Sequence, residues 1–295
     1  MSATPGLAAA RGRETTAVLV ARVDALATRT TTPCGSGAMV WRTWNPGASH
    51  LPVVLLHGAA GSWTHWLLNL PALAERRRVV AGDLPGFGDS AMPPEPYTAD
   101  SLADIVAEGV TRVVPSRFDL VGFSFGAIIA GMVAARLGAR VRRLVLVAPN
   151  GMALPRATLR PLARPGRADP SRDELRRVHR ENLGIMMLAD PARVDDIAVD
   201  LQIDNVQRAR VRSGAIPDSD VLPHALPRVT ARMSGIWGER DALAAPFIEL
   251  RRATLAQFQP DVDVRVVPGA GHWVIYEAPD AANAAMLEML SAEGD

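Results

Sequence analysis

Asp119-Leu120-Val121-Gly122-Phe123-Ser124-Phe125-Gly126-Ala127-Ile128-Ile129-Ala130-Gly131 is the stretch on which the reading of the fold turns. It opens as an apolar run, Asp119 to Phe123, that reads as a buried strand. It continues from Phe125 to about Leu137 as an Ala-rich apolar run of helical character. Only Gly122 to Gly126 join the two. So abrupt a turn forces a strained backbone on the residue at the corner, Ser124, and the flanking glycines remove the Cβ atoms that would clash there. The serine hydroxyl is then held at the carboxyl end of a sheet and at a helix N-terminus, where developing negative charge is favoured. A G-x-S-x-G pattern also arises by chance, so the weight falls on its strand–helix setting and on partners elsewhere in the chain.

Outward from this stretch the chain alternates strand and helix. Met39 to Trp44, Val53 to Leu56, Arg78 to Ala81 and Arg143 to Val147 read as short strands, most of them too apolar to face water, as in a parallel sheet covered on both faces. Trp63 to Glu75 and Tyr97 to Val114 have helical spacing, and Thr15 to Thr28 reads as a short helix behind a loose tail covering residues 1 to about 14. From about Met152 to Pro227 no buried strand is evident; helical stretches near Arg172–Met187 and Val194–Val211 alternate with Arg, Asp and Pro. The strand–helix pattern returns with strands at Met233–Trp237 and Val262–Val267 and helices at Pro246–Phe258 and Ala278–Leu290. We therefore divide the chain into a core, residues 1–151 and 229–295, and an inserted helical cap, residues 152–228, over the end of the sheet where the loops gather.

A serine hydroxyl needs a base within hydrogen-bond reach and a third group that fixes the base's tautomer. Of the 6 histidines, only His272 lies in a Gly-rich turn after a late strand, Val267-Pro268-Gly269-Ala270-Gly271-His272-Trp273. His57 also ends a strand and reads as a loop-orienting residue, His65 as a pocket-rim residue, and His179 and His224 as solvated cap residues. For the orienting acid, Asp241 in Gly238-Glu239-Arg240-Asp241 is preferred to Glu239, which comes sooner after its strand. Asp is also a common helix cap, and Pro246 follows soon after. Donors for an oxyanion are expected from the N–H groups of Phe125 and Ala59, the latter in the small-residue loop His57-Gly58-Ala59-Ala60-Gly61. Trp63, Phe123 and Trp273 adjoin these groups in sequence and are candidates for an apolar substrate pocket, with core packing as the alternative for each.

The order of these motifs, together with Asp83-Leu84-Pro85-Gly86-Phe87-Gly88-Asp89-Ser90, resembles the α/β-hydrolase superfamily over residues 50 to 290. The resemblance implies a doubly wound, mostly parallel eight-stranded sheet with an inserted helical cap. It implies Ser124 as nucleophile, Asp241 as acid and His272 as base. The implied function is hydrolysis of a carboxylic ester or related acyl bond through an acyl-enzyme. Weaker likeness at Gly271-His272-Trp273, Glu277 and Pro279 points to carbon–carbon hydrolases of ring-cleavage products. Those enzymes usually carry Asn before the serine and a Ser-Gly-rich oxyanion loop, where this chain has Phe123 and Ala59-Ala60. A non-catalytic ligand-binding member of the fold is the alternative from a different class.

Composition narrows the rest. Charge is balanced, with 32 basic and 31 acidic residues, so no electrostatic footprint for nucleic acid is expected. Every basic residue is Arg, which removes lysine Schiff-base chemistry. With one cysteine, Cys34, no intrachain disulfide and no cysteine metal cluster is expected. No cofactor or metal is called for, and the expected partner is a small apolar ester-like molecule. The apolar run Ala17–Ala21 is too short for a signal or a membrane span, so a cytoplasmic protein is expected.

Overall fold

The computed structural model describes residues 14–166 and 168–291. The expected loose tail falls almost wholly outside these residues. Eight strands form one sheet: β1 (Thr28–Cys34), β2 (Gly37–Trp44), β3 (His50–Leu56), β4 (Arg77–Gly82), β5 (Phe118–Phe123), β6 (Val141–Val147), β7 (Arg232–Gly238) and β8 (Asp263–Val267), in the order β1-β2-β4-β3-β5-β6-β7-β8. β1 pairs antiparallel with β2, and β2 antiparallel with β4; every later pairing is parallel. Val53 to Leu56 and the whole of β5 are buried, as helices on both faces require.

The connection from β3 leads to β4 on one side, and the chain then returns to place β5 on the other side of β3. The two excursions leave in opposite directions, which opens a crevice at the carboxyl ends of β3 and β5. Open α/β sheets take their ligands at such a point. The loop His57–Gly61 and the corner at Ser124 stand on its two sides.

The helices are α1 (Thr16–Asp24), α2 (Leu70–Ala74), α3 (Ala99–Val113), α4 (Phe125–Leu137), α5 (Arg172–Asn182), α6 (Asp196–Gln207), α7 (Val221–Ala225), α8 (Ile248–Ala256), α9 (Val274–Glu277) and α10 (Pro279–Ser291). α4 is buried at every residue from Phe125 to Ala134, so it is apolar all round rather than amphipathic. α3 starts on a capping box in which Thr98 and Ser101 satisfy each other's backbone N–H groups.

Three elements depart from the sequence reading. β1, Thr-Arg-Thr-Thr-Thr-Pro-Cys, is a strand in a stretch the sequence reading leaves unassigned beyond a helix end at Thr28. It is an edge strand exposed over Thr28–Thr31, so it lacks the alternation that marks a half-buried strand. The expected helix Trp63–Glu75 is two pieces, a 3₁₀ turn at Trp63–Trp66 and the short α2. The Asn69 amide between them donates to Ile275 O and Asn283 Oδ1, so tertiary bonds fix the break. The stretch Arg172–Met187 ends in a π turn at Leu183–Met187.

Among the described residues, 152–228 contain helices and turns but no strand. This segment lies against the loops at the carboxyl ends of the strands and is tied to them by polar bonds. Asn205 on α6 accepts from Ser62 Oγ (2.7 Å) and donates to Thr64 Oγ1 (3.1 Å). Tyr276 Oη donates to Asp195 Oδ1 (2.5 Å), and Arg210 N donates to Gly86 O (2.9 Å). Arg208 pairs with Asp89, which Arg42 also grips from β2.

Candidate active site

Ser124 sits at the sharp turn between β5 and α4 with φ 53° and ψ −114°, a conformation that strains any residue with a Cβ. Its flanking glycines are dictated by backbone approach. A Cβ on Gly122 would lie 2.4 Å from Gly126 O, and one on Gly126 would lie 2.3 Å from His57 O. The second contact locks the helix start against the β3 loop. Ser124 N donates to Val147 O at the end of β6 (2.8 Å), which fixes the corner from the other side. The residue keeps 8% of its surface accessible.

The structure brings Ser124, His272 and Asp241 together from three strand ends. Ser124 Oγ lies 3.0 Å from His272 Nε2, and His272 Nδ1 lies 2.8 Å from Asp241 Oδ2. The tautomer with the proton on Nδ1 satisfies both: Nδ1–H donates to the carboxylate and Nε2 accepts from the hydroxyl. Asp241 Oδ1 accepts from Leu243 N (2.8 Å) and Ala244 N (3.2 Å). Burial works to raise the Asp241 pKa, but the nearby His272 charge and these hydrogen bonds outweigh it and hold the carboxyl below its usual value. Glu239, the other acid considered, turns away and accepts from Gly269 N (2.8 Å).

His57-Gly58-Ala59 lines the opposite wall of the crevice. A Cβ on Gly58 would lie 3.3 Å from Ser124 Cβ, so the loop passes directly beside the hydroxyl. Ala59 is exposed, Ala60 has φ 47°, and among the described residues neither the Ala59 N–H nor the Phe125 N–H has an acceptor. Phe125 is the first residue of α4, where helix geometry leaves the N–H free. Gly58 N is otherwise engaged, donating to His65 Nδ1 (3.2 Å). His57 Nδ1–H donates to Gly58 O (2.7 Å) and its Nε2 accepts from Leu84 N (2.9 Å), so this ring joins the loops after β3 and β4.

Several expected positions differ. Trp63 does not face the crevice: its ring packs on Trp44 (centroids 5.5 Å apart) and under the Arg42 guanidinium (5.1 Å). The Trp63 backbone N–H donates to Asp83 Oδ1, and that buried carboxylate draws the turn toward β2. Trp273 is buried too, stacked on Tyr276 (4.4 Å) with Nε1–H donating to His65 O (3.2 Å). Phe123 alone of the three touches the candidate site, its ring 5.3 Å from that of His272. His65 is enclosed by the rings of His57, Phe123 and Trp273 rather than standing at a rim. Its burial, with the adjacent His57 and His272, pushes its pKa well below the usual value. His179 is buried rather than solvated, whereas His224 is exposed as expected.

Two further residues hold the site in ways the sequence reading does not assign. Asn150, just past β6, places Nδ2 3.2 Å from Ser124 Oγ. Glu277, on α9, accepts from Gly271 N (2.6 Å), Ala189 N (3.1 Å) and Asp190 N (2.6 Å). It thereby joins the His272 loop to the insertion, and Trp273 N donates to Met187 O (2.8 Å) alongside it. Among the described residues no group of His, Cys, Asp and Glu could hold a metal, and no helix is long and apolar enough to cross a membrane.

Comparison with known proteins agrees with this architecture. Residues 53–285 match the model of the alpha/beta hydrolase family. The chain is 31% identical over 254 residues to the dihydrolipoyllysine-residue acetyltransferase component of the acetoin cleaving system of Pseudomonas putida, covering 83% of this chain but 64% of that protein's length. It is 28% identical over 263 residues to a 2-hydroxy-6-oxononadienedioate/2-hydroxy-6-oxononatrienedioate hydrolase of Comamonas testosteroni, covering 81% of this chain and 87% of the other. A carboxylesterase structure from Bacillus subtilis superposes with a TM-score of 0.74 over 95% of this chain and 98% of that one, at 16% identity. The eight-stranded sheet, the family match and the insertion between β6 and β7 lead to one conclusion: the chain belongs to the alpha/beta hydrolase family.

Proposed function

We propose that this protein is a serine hydrolase that cleaves a carboxylic ester or related acyl bond through an acyl-enzyme. The observation that carries the reading is the relay from Ser124 Oγ to His272 Nε2 (3.0 Å) and from His272 Nδ1 to Asp241 (2.8 Å), beside two unengaged N–H groups. Ser124 Oγ attacks the scissile carbonyl while His272 Nε2 takes its proton. The N–H groups of Phe125 and Ala59 hold the resulting oxyanion. Collapse of the tetrahedral adduct expels the alcohol, which receives the proton from His272. Water, deprotonated by His272, then attacks the acyl-enzyme and releases the acid. Asp241 remains ionised throughout and stabilises the imidazolium.

In this reading residues 152–228 form a cap over the crevice, and the substrate is a small molecule with an apolar body. No cofactor takes part. Ser124→Ala removes the nucleophile and is expected to abolish turnover of a p-nitrophenyl ester while lowering the melting temperature little. Labelling of wild-type Ser124 by a fluorophosphonate probe is the companion test. Substantial hydrolysis by Ser124→Ala, or no labelling of the wild type, overturns the proposal.

A second reading, hydrolysis of a carbon–carbon bond in a ring-cleavage product, is favoured by the Comamonas testosteroni relative. Against it stand Phe123 before the serine and Ala59-Ala60 in the oxyanion loop. A screen with vinylogous diketones beside simple esters separates the two. Acyl transfer to an acceptor other than water, the chemistry named for the Pseudomonas putida relative, would appear as new products when thiols or alcohols compete with water.

A further inference from the structure

Ser124 Oγ has a second neighbour besides His272. Asn150 Nδ2 lies 3.2 Å away, on a residue that keeps 9% of its surface accessible. The segment that delivers it is held on both sides. Ala148 takes φ 45°, a costly conformation for a residue with a Cβ, and Gly151 takes φ 70°. Ala148 N donates to Ile236 O (2.8 Å), Gly151 N to Pro217 O (2.9 Å), and Gly151 O accepts from Leu222 N (3.0 Å). The amide is therefore aimed from a pinned backbone, which a mere loop asparagine does not require.

Its direction matters. β3 and β6 flank β5 on opposite sides. The Ala59 N–H comes from the β3 side and Asn150 from the β6 side. A carbonyl oxygen held by Ala59 and Phe125 points away from Asn150, and the amide then meets a substituent of the substrate instead. An asparagine amide offers two N–H donors and an acceptor. Among the described residues only the bond to Ser124 Oγ uses any of them. When Oγ attacks it becomes an ether-type oxygen of the tetrahedral adduct, and after collapse the ester oxygen of the acyl-enzyme. Both are poorer acceptors than the hydroxyl, so that one N–H also loses its partner.

We propose that Asn150 is a substrate-facing specificity residue, selecting donors whose acyl chain carries a hydrogen-bonding atom two bonds from the scissile carbonyl carbon. The inference rests on the serine-hydrolase reading above and names the substrate class of that site. A donor with such an atom restores the amide's bond in the adduct; a plain alkyl acyl group leaves it unmatched.

The test compares phenyl methoxyacetate with phenyl butanoate, whose acyl groups have nearly the same shape and differ by an ether oxygen in place of a methylene. The ratio of their kcat/KM values is measured in wild type and in Asn150→Leu, with Asn150→Ala as a second variant should the first fold poorly. Intrinsic reactivity of the two esters is the same in every protein and cancels. The expected result is a methoxyacetate-to-butanoate ratio about tenfold lower in the variants, the effect of one lost hydrogen bond at a buried polar group. A merely structural role lowers both esters together and leaves the ratio unchanged, which overturns the proposal. Wild-type protein that neither labels with fluorophosphonate nor hydrolyses either ester overturns the parent reading, and this one with it.

Discussion

Replacing Glu277 by Gln tests whether the insertion helps to place His272. Glu277 is 4% exposed, and its carboxylate receives three backbone N–H groups, from Gly271 and Ala189 at Oε2 and from Asp190 at Oε1. Gln keeps the shape but has only one oxygen. With that oxygen serving Gly271 and Ala189, its NH₂ faces the Asp190 N–H, donor against donor. Losing one charge-assisted bond at a buried site costs about 2 kcal/mol. At about 2–4 °C per kcal/mol for a chain approaching this size, the melting temperature falls by about 4–8 °C. Relief is not available by sliding: a Cβ built on Gly271 would already lie 2.7 Å from Ala189 N and 3.0 Å from Met187 O. The disturbed arm carries His272 one residue away, and displacement near 1 Å at a reacting group costs on the order of 10²-fold in rate. We expect kcat on a p-nitrophenyl ester to fall tenfold or more, by about that logic, with KM moving less. Differential scanning fluorimetry and steady-state kinetics read both quantities. A melting temperature within about 1 °C of wild type would refute the bonding account. A lowered melting temperature with unchanged kcat would refute the placement account alone.

Gly126→Ala sets a Cβ against His57 O and Leu56 O, with backbone on both sides, and is expected to destabilise by about 1–3 kcal/mol or to prevent folding, whereas Gly184→Ala, with open space around it, serves as the neutral comparison in the same thermal assay. Asp241→Asn leaves His272 able to adopt the wrong tautomer, so ester turnover should drop by about 10³–10⁴-fold with fluorophosphonate labelling slowed in parallel; near-normal labelling would count against Asp241 as the orienting acid. His57, His65 and His179 all have pKa values lowered by burial, so the unfolded chain binds more protons than the folded one below the ordinary histidine pKa. Their contribution is complete above pH 6.5, the value from which they are lowered, and is lost as pH falls toward the folded values. The melting temperature should therefore decline on acidification below that point, and His65→Asn should flatten the decline. An unchanged slope in that variant would remove His65 from the account. Asp241, held below its usual value, adds stability that is lost only at still lower pH, beneath 3.8.

What could be read from sequence was what backbone geometry forces. Gly122 and Gly126 are legible because main-chain atoms occupy the space their Cβ atoms would need. Val53–Leu56 and β5 are legible because strands buried on both faces must be apolar throughout. Asp241 and His272 stand out by their places after late strands, an argument from topology, and the two lie within hydrogen-bond distance of each other. β1 escaped because its exposed edge carries no periodicity. Trp63 follows the core-packing alternative: nearness in sequence says nothing of direction, and the buried Asp83–Arg42 pair draws its turn the other way. Asn150 was invisible for another reason. In Ala148-Pro149-Asn150-Gly151 an asparagine is what any turn would carry. Glu277 was quoted for likeness, but its partners Ala189 and Asp190 lie 88 and 87 residues away and leave no local mark.

The spacing of the candidate site follows from the sheet itself. Hydrogen bonding continues past the strand ends: Ser124 N to Val147 O, Ala148 N to Ile236 O, Glu239 N to Val267 O and Arg240 N to Ala270 O, all at 2.8–2.9 Å. The loops after β5, β6, β7 and β8 are thus kept in register with one another, as the strands are. Strands lie about 4.8 Å apart, so β8 stands about 14 Å from β5, too far for a histidine side chain to span. The arm Val267–Trp273 must fold back over β7, which explains the left-handed Gly269 (φ 69°) and the unbranched Gly271 against the insertion. Beyond Ala270 O, which accepts from Arg240 N, the arm has no sheet to hold it. Its outer support is Glu277 and the bond from Trp273 N to Met187 O, both of which engage residues 187–190. Beside the cap role proposed for it, the insertion therefore acts as an outer wall for the arm that carries His272. Trimming it to widen the substrate range should cost rate before it changes selectivity, unless residues 187–190 are left in place.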